Sequence, residues 1–296
     1  MQDEATEYAW AKLNLGLKVV GRRPDGFHEV RGIMQCIDLA DRLDFRPAPR
    51  TRFTCSDADL PAGGDNLARR AADAFHQALG RGPYWHIHLE KHVPVGAGLG
   101  GGSADAAAVL RGLNRLCGSP FSWERLEGLG AALGSDVPFL VRGGTARIRG
   151  RGEILEPLRW EGAAHYVLVY PGVGVGTAWA YGQLRDRVLT GNSPYLSFIS
   201  SLPSGGRVEG RELFPLLEND FQEPVERAKP IVATAGAALL DAGARRYSMS
   251  GSGSTVFGIF DDLPAARRAH EALSAKGFRS FFCRPRPVAL AAGEGA

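Results

Sequence analysis

The segment from Pro94 to Ala108, PVGAGLGGGSADAAA, constrains the fold more than any other part of the chain. Gly96, Gly98, Gly100, Gly101 and Gly102 crowd into seven positions. Glycine loses the most backbone freedom on folding, so such a cluster belongs where the chain turns tightly or lets a ligand approach its amides. Before it, His86 to Val93 (HIHLEKHV) alternates apolar and polar residues, as a half-buried strand does. After it, Ala104 to Leu116 is rich in alanine and predicts a helix, with Ser103 as its N-cap. Strand, glycine loop and helix in that order make an anion site. The first helical N–H groups lack partners, and the macrodipole puts partial positive charge there.

Spacing separates the devices that hold phosphate this way. A Walker loop, G-x-x-x-x-G-K-[ST], fails because Gly102 stands where the Lys should be. The pattern G-x-G-x-x-G is present as Gly96, Gly98 and Gly101 and leaves a nicotinamide-dependent oxidoreductase as one alternative. That fingerprint needs a βαβ unit, whereas here a second helical segment, Trp123 to Leu133, follows the first. A non-catalytic nucleotide-binding module is a further alternative. Composition removes other classes. With 35 Lys plus Arg against 32 Asp plus Glu, the net charge of +3 is too small to argue for nucleic acid or an anionic membrane. Apolar residues at 44% argue against disorder. Cys36, Cys55, Cys117 and Cys283 are too scattered for a disulfide framework or zinc site. The N-terminus lacks a signal or transit pattern, and no apolar run approaches a membrane span. A reduced, cytoplasmic protein with a small-molecule substrate is expected, with no protein metal site.

Periodicity gives the outline. Lys12 to Val20, Ile33 to Leu39 and Asp41 to Phe45 read as strands, and Asn66 to Leu79 as a helix. Later, Tyr166 to Tyr170, Arg246 to Ser250, Thr255 to Phe260 and Phe278 to Cys283 read as strands. Val225 to Asp241 and Pro264 to Lys276 read as helices. Residues 190–212, rich in Ser, Gly, Pro and Asn, predict a long mobile loop. Helices and strands without a strict βαβ rhythm predict an α+β fold, with a domain boundary near residue 158.

The glycine segment resembles the phosphate loop of the GHMP kinases, the small-metabolite kinases named after galactokinase, homoserine kinase, mevalonate kinase and phosphomevalonate kinase. Two other family segments stand at the expected places: Ala11-Lys12-Leu13-Asn14-Leu15 near the start, and Gly251-Ser252-Gly253-Ser254-Thr255-Val256-Phe257 near the end. The triple glycine, Asp25-Gly26-Phe27-His28 and Gly134-Ser135-Asp136-Val137-Pro138 resemble the members acting on a cytidyl-linked sugar alcohol. The resemblance implies a two-lobed α+β fold. Residues 1–158 would form a lobe like ribosomal protein S5 domain 2, and residues 159–296 a ferredoxin-like lobe. It implies transfer of the γ-phosphoryl group of ATP, with Mg2+, to the 2-hydroxyl of 4-diphosphocytidyl-2-C-methyl-D-erythritol in the non-mevalonate route to isoprenoids. Another small alcohol, such as homoserine or mevalonate, is the alternative acceptor within the family.

Residue by residue, the resemblance makes Asp136 the base and Lys12 the cation that favours its ionised form and attracts the γ-phosphate or the attacking oxygen. Taken alone, Asp136 before Val137-Pro138 reads as a helix N-cap. ATP would be held by Pro94, Val95, Gly96, Ala97, Gly98, Leu99, Gly100, Gly101, Gly102, Ser103 and Ala104. Gly251, Ser252 and Gly253 would close the far side, and Asn66 and Lys91 would face the adenine. Ser103 would help hold magnesium, bound largely through phosphates and water. His28 would read the cytosine edge, with Phe27 or Tyr181 as a stacking face. Asn14, Thr177 and Asp136 would line the methylerythritol diphosphate portion. Phe27 stands where this group often has Tyr, which removes a phenolic hydroxyl. His86, His88 and His92 read as strand surface. A monomer or homodimer is expected, with no nucleic-acid or membrane partner.

Overall fold

The computed structural model describes residues 4–60, 63–80, 82–184 and 193–286. The chain opens with a long antiparallel ribbon, β1 (Ala5–Arg22) against β2 (His28–Ala48). The two strands expected at Ile33 to Leu39 and Asp41 to Phe45 are therefore one. Asp41 can continue β2 although fully buried, because its carboxylate accepts from the amides of His92 and Val93.

β3 (Arg52–Cys55), α1 (Leu67–Leu79) and β4 (Tyr84–Glu90) follow, with β3 parallel to β4 and β4 antiparallel to β2. Next come α2 (Gly101–Leu116), α3 (Trp123–Ala131) and α4 (Val137–Arg142), and then β5 (Thr145–Arg149) and β6 (Ile154–Glu161). α2 is buried all round from Ala104 to Asn114, which its run of small side chains permits. At Gly112 the ring of Phe45 comes so close that a Cβ would lie 2.7 Å from its Cζ.

β7 (His165–Tyr170) starts a second sheet, and α5 (Thr177–Gly182) follows it. α6 (Pro194–Ser201), β8 (Arg207–Glu209) and α7 (Gly210–Leu213) occupy most of the stretch expected to be a mobile loop, of which 190–192 lie outside the described residues. The anchor is Tyr195, fully buried, whose hydroxyl donates to Leu15 O (2.7 Å) and accepts from Ile33 N (3.0 Å). It fills the irregularity between Asn14 and Leu17, where a Cβ on Gly16 would lie 2.3 Å from the ring. The helix expected at 225–241 is two, α8 (Gln222–Ala228) and α9 (Pro230–Asp241). Pro230 cannot continue a helix and forces Lys229 out of helical geometry.

β9 (Arg246–Met249), β10 (Val256–Phe260), α10 (Leu263–Ala275) and β11 (Arg279–Cys283) complete the fold. The sheet order is β11-β7-β10-β9, antiparallel throughout, with α8 and α9 between its first two strands in sequence and α10 between its last two. That is the ferredoxin-like arrangement. The first sheet runs β3-β4-β2-β5-β6-β8 with β1 also on β2. Leu158, the expected boundary, lies inside β6, and β8 pairs with that strand from 46 or more residues later. No described helix is long and apolar enough to cross a membrane, and all four cysteines are free thiols.

Candidate active site

The glycine loop is pressed against both sheets by its own backbone. Thr255 N donates to Ala97 O (3.1 Å), Ser250 Oγ donates to Gly98 O (2.9 Å) and Lys12 N donates to Leu99 O (3.0 Å). Asn14 N donates in turn to Ser250 Oγ (3.2 Å). Segments around residues 12, 98 and 251 thus meet at one place. Gly98 requires φ +78, and a Cβ there would lie 2.3 Å from Ser250 O. Leu99 turns its side chain into the core, and Ala104 is buried in α2; neither lines a cavity described below.

α2 begins one turn earlier than expected. Gly100, at φ +71, takes the capping position, so Ser103 sits inside the first turn and is not the N-cap. The glycines therefore supply the unpartnered N–H groups directly. Gly100 also gives room to Lys12, whose Cγ would lie 3.1 Å from a Cβ there.

Asp136 occupies the N-cap position of α4 but has right-handed helical geometry, φ −85 and ψ −14, and its side chain makes no capping hydrogen bond. The capping alternative fails, and the carboxylate faces Lys12 instead. Its Oδ2 lies 3.7 Å from Lys12 Nζ, which is nearly buried and also donates to Asn14 Oδ1 (2.5 Å). Lys12 is thus oriented from two sides while Asp136 keeps about a third of its surface open.

A cavity of about 680 Å³ surrounds this pair. Gly96, Gly98, Gly100 and the turn Gly251 to Gly253 form one end. Phe27, His28 and Tyr181 form the other, with Thr177 at the start of α5 between them. His28 stacks on Tyr181 with ring centroids 4.8 Å apart at 24°. Burial, helped by the charge of Arg22, lowers the His28 pKa, so its ring is neutral at physiological pH. Burial and the charge of Asp136 push the Tyr181 phenol up to about 12, keeping it a hydrogen-bond donor. Phe27 is 54% exposed, and the guanidinium of Arg151 lies 4.7 Å from its ring centroid.

On the opposite wall of the loop, a cavity of about 400 Å³ is lined by Asn66, Lys91, Pro94, Val95, Gly101 to Ser103 and Asp105. The Asn66 oxygen caps α1 by accepting from Ala68 N (2.9 Å). Lys91 is not a free cation: it is buried between Asp41 and Asp105, whose Oδ2 is 2.8 Å away. Desolvation pushes Asp105 up to about 8, against the opposing charge of Lys91, and Asp105 Oδ1 has no partner. Sequence reasoning passed over Asp41, Asp105 and Arg151. A lone acid in the alanine-rich helix was the available signal for Asp105; nothing local marks the other two.

Every sequence-expected site residue except Leu99 and Ala104 lines one of these two cavities. His86 and His88 both contact Thr54 Oγ1, and no group of three His, Cys, Asp or Glu suited to a metal exists among the described residues. The dinucleotide alternative loses its context: β4 and β5, though parallel, are held apart by the antiparallel β2 between them, and α3 and α4 intervene after α2, so α2 does not link adjacent parallel strands.

Comparison with known proteins agrees with this geometry. Residues 66–144 match the model for the GHMP kinases N terminal domain, and residues 208–279 that for GHMP kinases C terminal. A 4-diphosphocytidyl-2-C-methyl-D-erythritol kinase of Synechococcus sp. (strain JA-2-3B'a(2-13)) is 43% identical over 90% of this chain and 89% of its own. One from Geobacter sp. (strain M21) is 45% identical over 88% and 90%. A crystal structure of 4-(cytidine 5'-diphospho)-2C-methyl-D-erythritol kinase superposes with a TM-score of 0.78 at 34% identity, covering 95% of this chain and 99% of that one. The L. major mevalonate kinase, at 14% identity and a TM-score of 0.71 over 97% of each chain, shares the fold. With both halves of the family present in order and such relatives along nearly its whole length, the chain belongs to the GHMP kinases, on their 4-diphosphocytidyl-2-C-methyl-D-erythritol kinase branch.

Proposed function

We propose that this chain phosphorylates the 2-hydroxyl of 4-diphosphocytidyl-2-C-methyl-D-erythritol at the expense of ATP, releasing the 2-phosphate and ADP in the non-mevalonate route to isoprenoids. One observation carries the reading. A lysine–carboxylate pair 3.7 Å apart stands between a glycine loop suited to phosphate and an aromatic pocket suited to a flat base. GHMP kinases take their phosphoryl group from ATP, and the loop's amides with the α2 dipole suit the triphosphate. Adenine would rest near Asn66, Lys91 and Val95, at the far side of that loop.

Phosphoryl transfer asks for alignment and charge neutralisation more than for covalent chemistry. The acceptor oxygen would attack the γ-phosphorus as its proton passes to Asp136 and the bond to the ADP oxygen breaks. Lys12 would neutralise the equatorial oxygens, held on line by Asn14. Neutral His28 can both donate to and accept from a cytosine edge, and Tyr181 and Phe27 offer faces for the ring. Arg151, whose guanidinium lies over the Phe27 ring, brings a positive charge to this end of the cavity.

The donor set suits magnesium carried in by the phosphates: with no group of three His, Cys, Asp or Glu suited to a metal among the described residues, the protein would add the Ser103 hydroxyl and little else. When bound, magnesium spreads the negative charge of the β- and γ-phosphates. The same reading divides the lobes near residue 158, and takes the enzyme to be cytoplasmic, a monomer or homodimer, free of nucleic acid and membrane. The test is ADP release with ATP, magnesium and a panel of alcohols. Turnover with the cytidyl-linked alcohol alone supports it. Turnover with homoserine or mevalonate instead would remove the acceptor assignment.

A further inference from the structure

A third cavity, of about 640 Å³, shares no lining residue with the two already described. It opens where β2, β5, β6, the start of β7 and the segment after β11 meet, and three arginines, Arg159, Arg284 and Arg286, line it. The one carboxylate among its described lining residues, Asp38, is already engaged: it accepts from Arg284 Nε (3.2 Å) and from the Arg284 amide (2.7 Å). Many arginines of this protein pair with acids, as Arg23, Arg142, Arg147 and Arg207 do. Arg159 and Arg286, like Arg151 and several others, have no carboxylate among the described residues within ion-pair distance. Arg159 Nε donates to Gly205 O (3.1 Å), and the Arg286 guanidinium lies over the Trp10 ring, 4.1 Å from its centroid. A guanidinium held by its face keeps its edge N–H groups for an in-plane acceptor.

The remaining wall is partly apolar. The indole N–H of Trp160 is spent on Gly162 O (3.1 Å), which leaves its ring as an apolar surface beside Ala163 and Ala164. His165 Nδ1 is buried and has no hydrogen-bond partner, an expensive arrangement unless a ligand supplies one.

We propose that this cavity is a second anion site, separate from the reaction cavity, which takes a small phosphate monoester with a planar or apolar body. The phosphate would meet the edges of Arg159 and Arg286, and the body would lie along Trp160. Two net positive charges, an apolar wall and an unpaired imidazole nitrogen suit that chemistry together, whereas none of them alone would select it.

Isothermal titration of the full chain, with the nucleotide site saturated by magnesium and a non-hydrolysable ATP analogue, tests this with phenyl phosphate and inorganic phosphate as probes. Phenyl phosphate is expected to bind at one site per chain, at least tenfold more tightly than inorganic phosphate. The double substitution Arg159→Ser, Arg286→Ser is expected to weaken it by tenfold or more, while thermal stability and probe-free turnover remain unchanged. Absence of binding at millimolar probe, or equal affinity in the parent and the double variant, would overturn the assignment. Equal affinity for the two probes would remove the apolar body from it.

Discussion

The buried triad Asp41–Lys91–Asp105 makes stability depend on pH in a direction opposite to the usual carboxylate. Asp41 is well supplied, with Lys91 and the amides of His92 and Val93 on its two oxygens. Asp105 has Lys91 on one oxygen, and desolvation, opposed by Lys91 and reinforced by the neighbouring Asp41 carboxylate, pushes it to about 8 from an ordinary 3.8. Between those values the unfolded chain has released the proton that the folded chain keeps. Stability then falls as pH rises, with a slope of at most about 1.4 kcal/mol per pH unit. From pH 5 to pH 7 that is up to about 3 kcal/mol for one proton. Asn resembles the protonated acid in shape, so Asp105→Asn should match the parent only below the ordinary value of 3.8, should already exceed it at pH 5, and should do so increasingly toward pH 8. Urea denaturation of both proteins at pH 5, 6, 7 and 8 measures the difference, and other titrating groups cancel in the subtraction. A stability difference that stays constant over this range, or moves against the variant as pH rises, refutes the reasoning.

Three further outcomes are expected. Gly98→Ala forces an L residue to φ +78 and drives its Cβ into Ser250 O, so the nucleotide KM should rise by roughly tenfold or more, read by steady-state ADP release. His28→Ala should raise the acceptor KM roughly tenfold to a hundredfold, the loss of about 1–3 kcal/mol, and leave the ATP KM alone. In the parent, whose His28 pKa is lowered by burial and by Arg22, acceptor binding should be flat above neutral pH and weaken only on acidification below the ordinary imidazole range, as the ring charges. Tyr195→Phe leaves Leu15 O and Ile33 N buried without partners and should cost about 2–4 kcal/mol in chemical denaturation.

Local signals carried much of this architecture. The glycine cluster, the alternation before it and the alanine helix after it locate the phosphate loop, because strand period, turn and helix are all encoded within a few residues of one another. The Ser103 cap was misjudged because Gly100 can adopt a left-handed conformation that ends the loop sooner. A composition-based reading of 190–212 as mobile missed α6, since the reason for its order, the Tyr195 ring over Gly16, lies 179 residues away.

The site divides in the same way. Lys12, His28 and Asp136 stand in recognisable motifs, yet their meeting in one cavity depends on the β1–β2 ribbon and on the three helices α2 to α4. Spacing alone could not decide whether Asp136 caps its helix; the backbone angle did. Arg151 is invisible to local reading because its partner, Phe27, is brought to it by the register of β2 with β5.

The central claim is that Asp136 receives the acceptor's proton beside Lys12 in the cavity that also holds the triphosphate. Single-turnover ADP formation by Asp136→Asn, measured alongside its affinity for a fluorescent ATP analogue, addresses that claim directly. A rate lowered by about 10²–10⁴ with nucleotide affinity within about threefold of the parent is the expected result. A rate close to the parent's would contradict it and move the proton to another group.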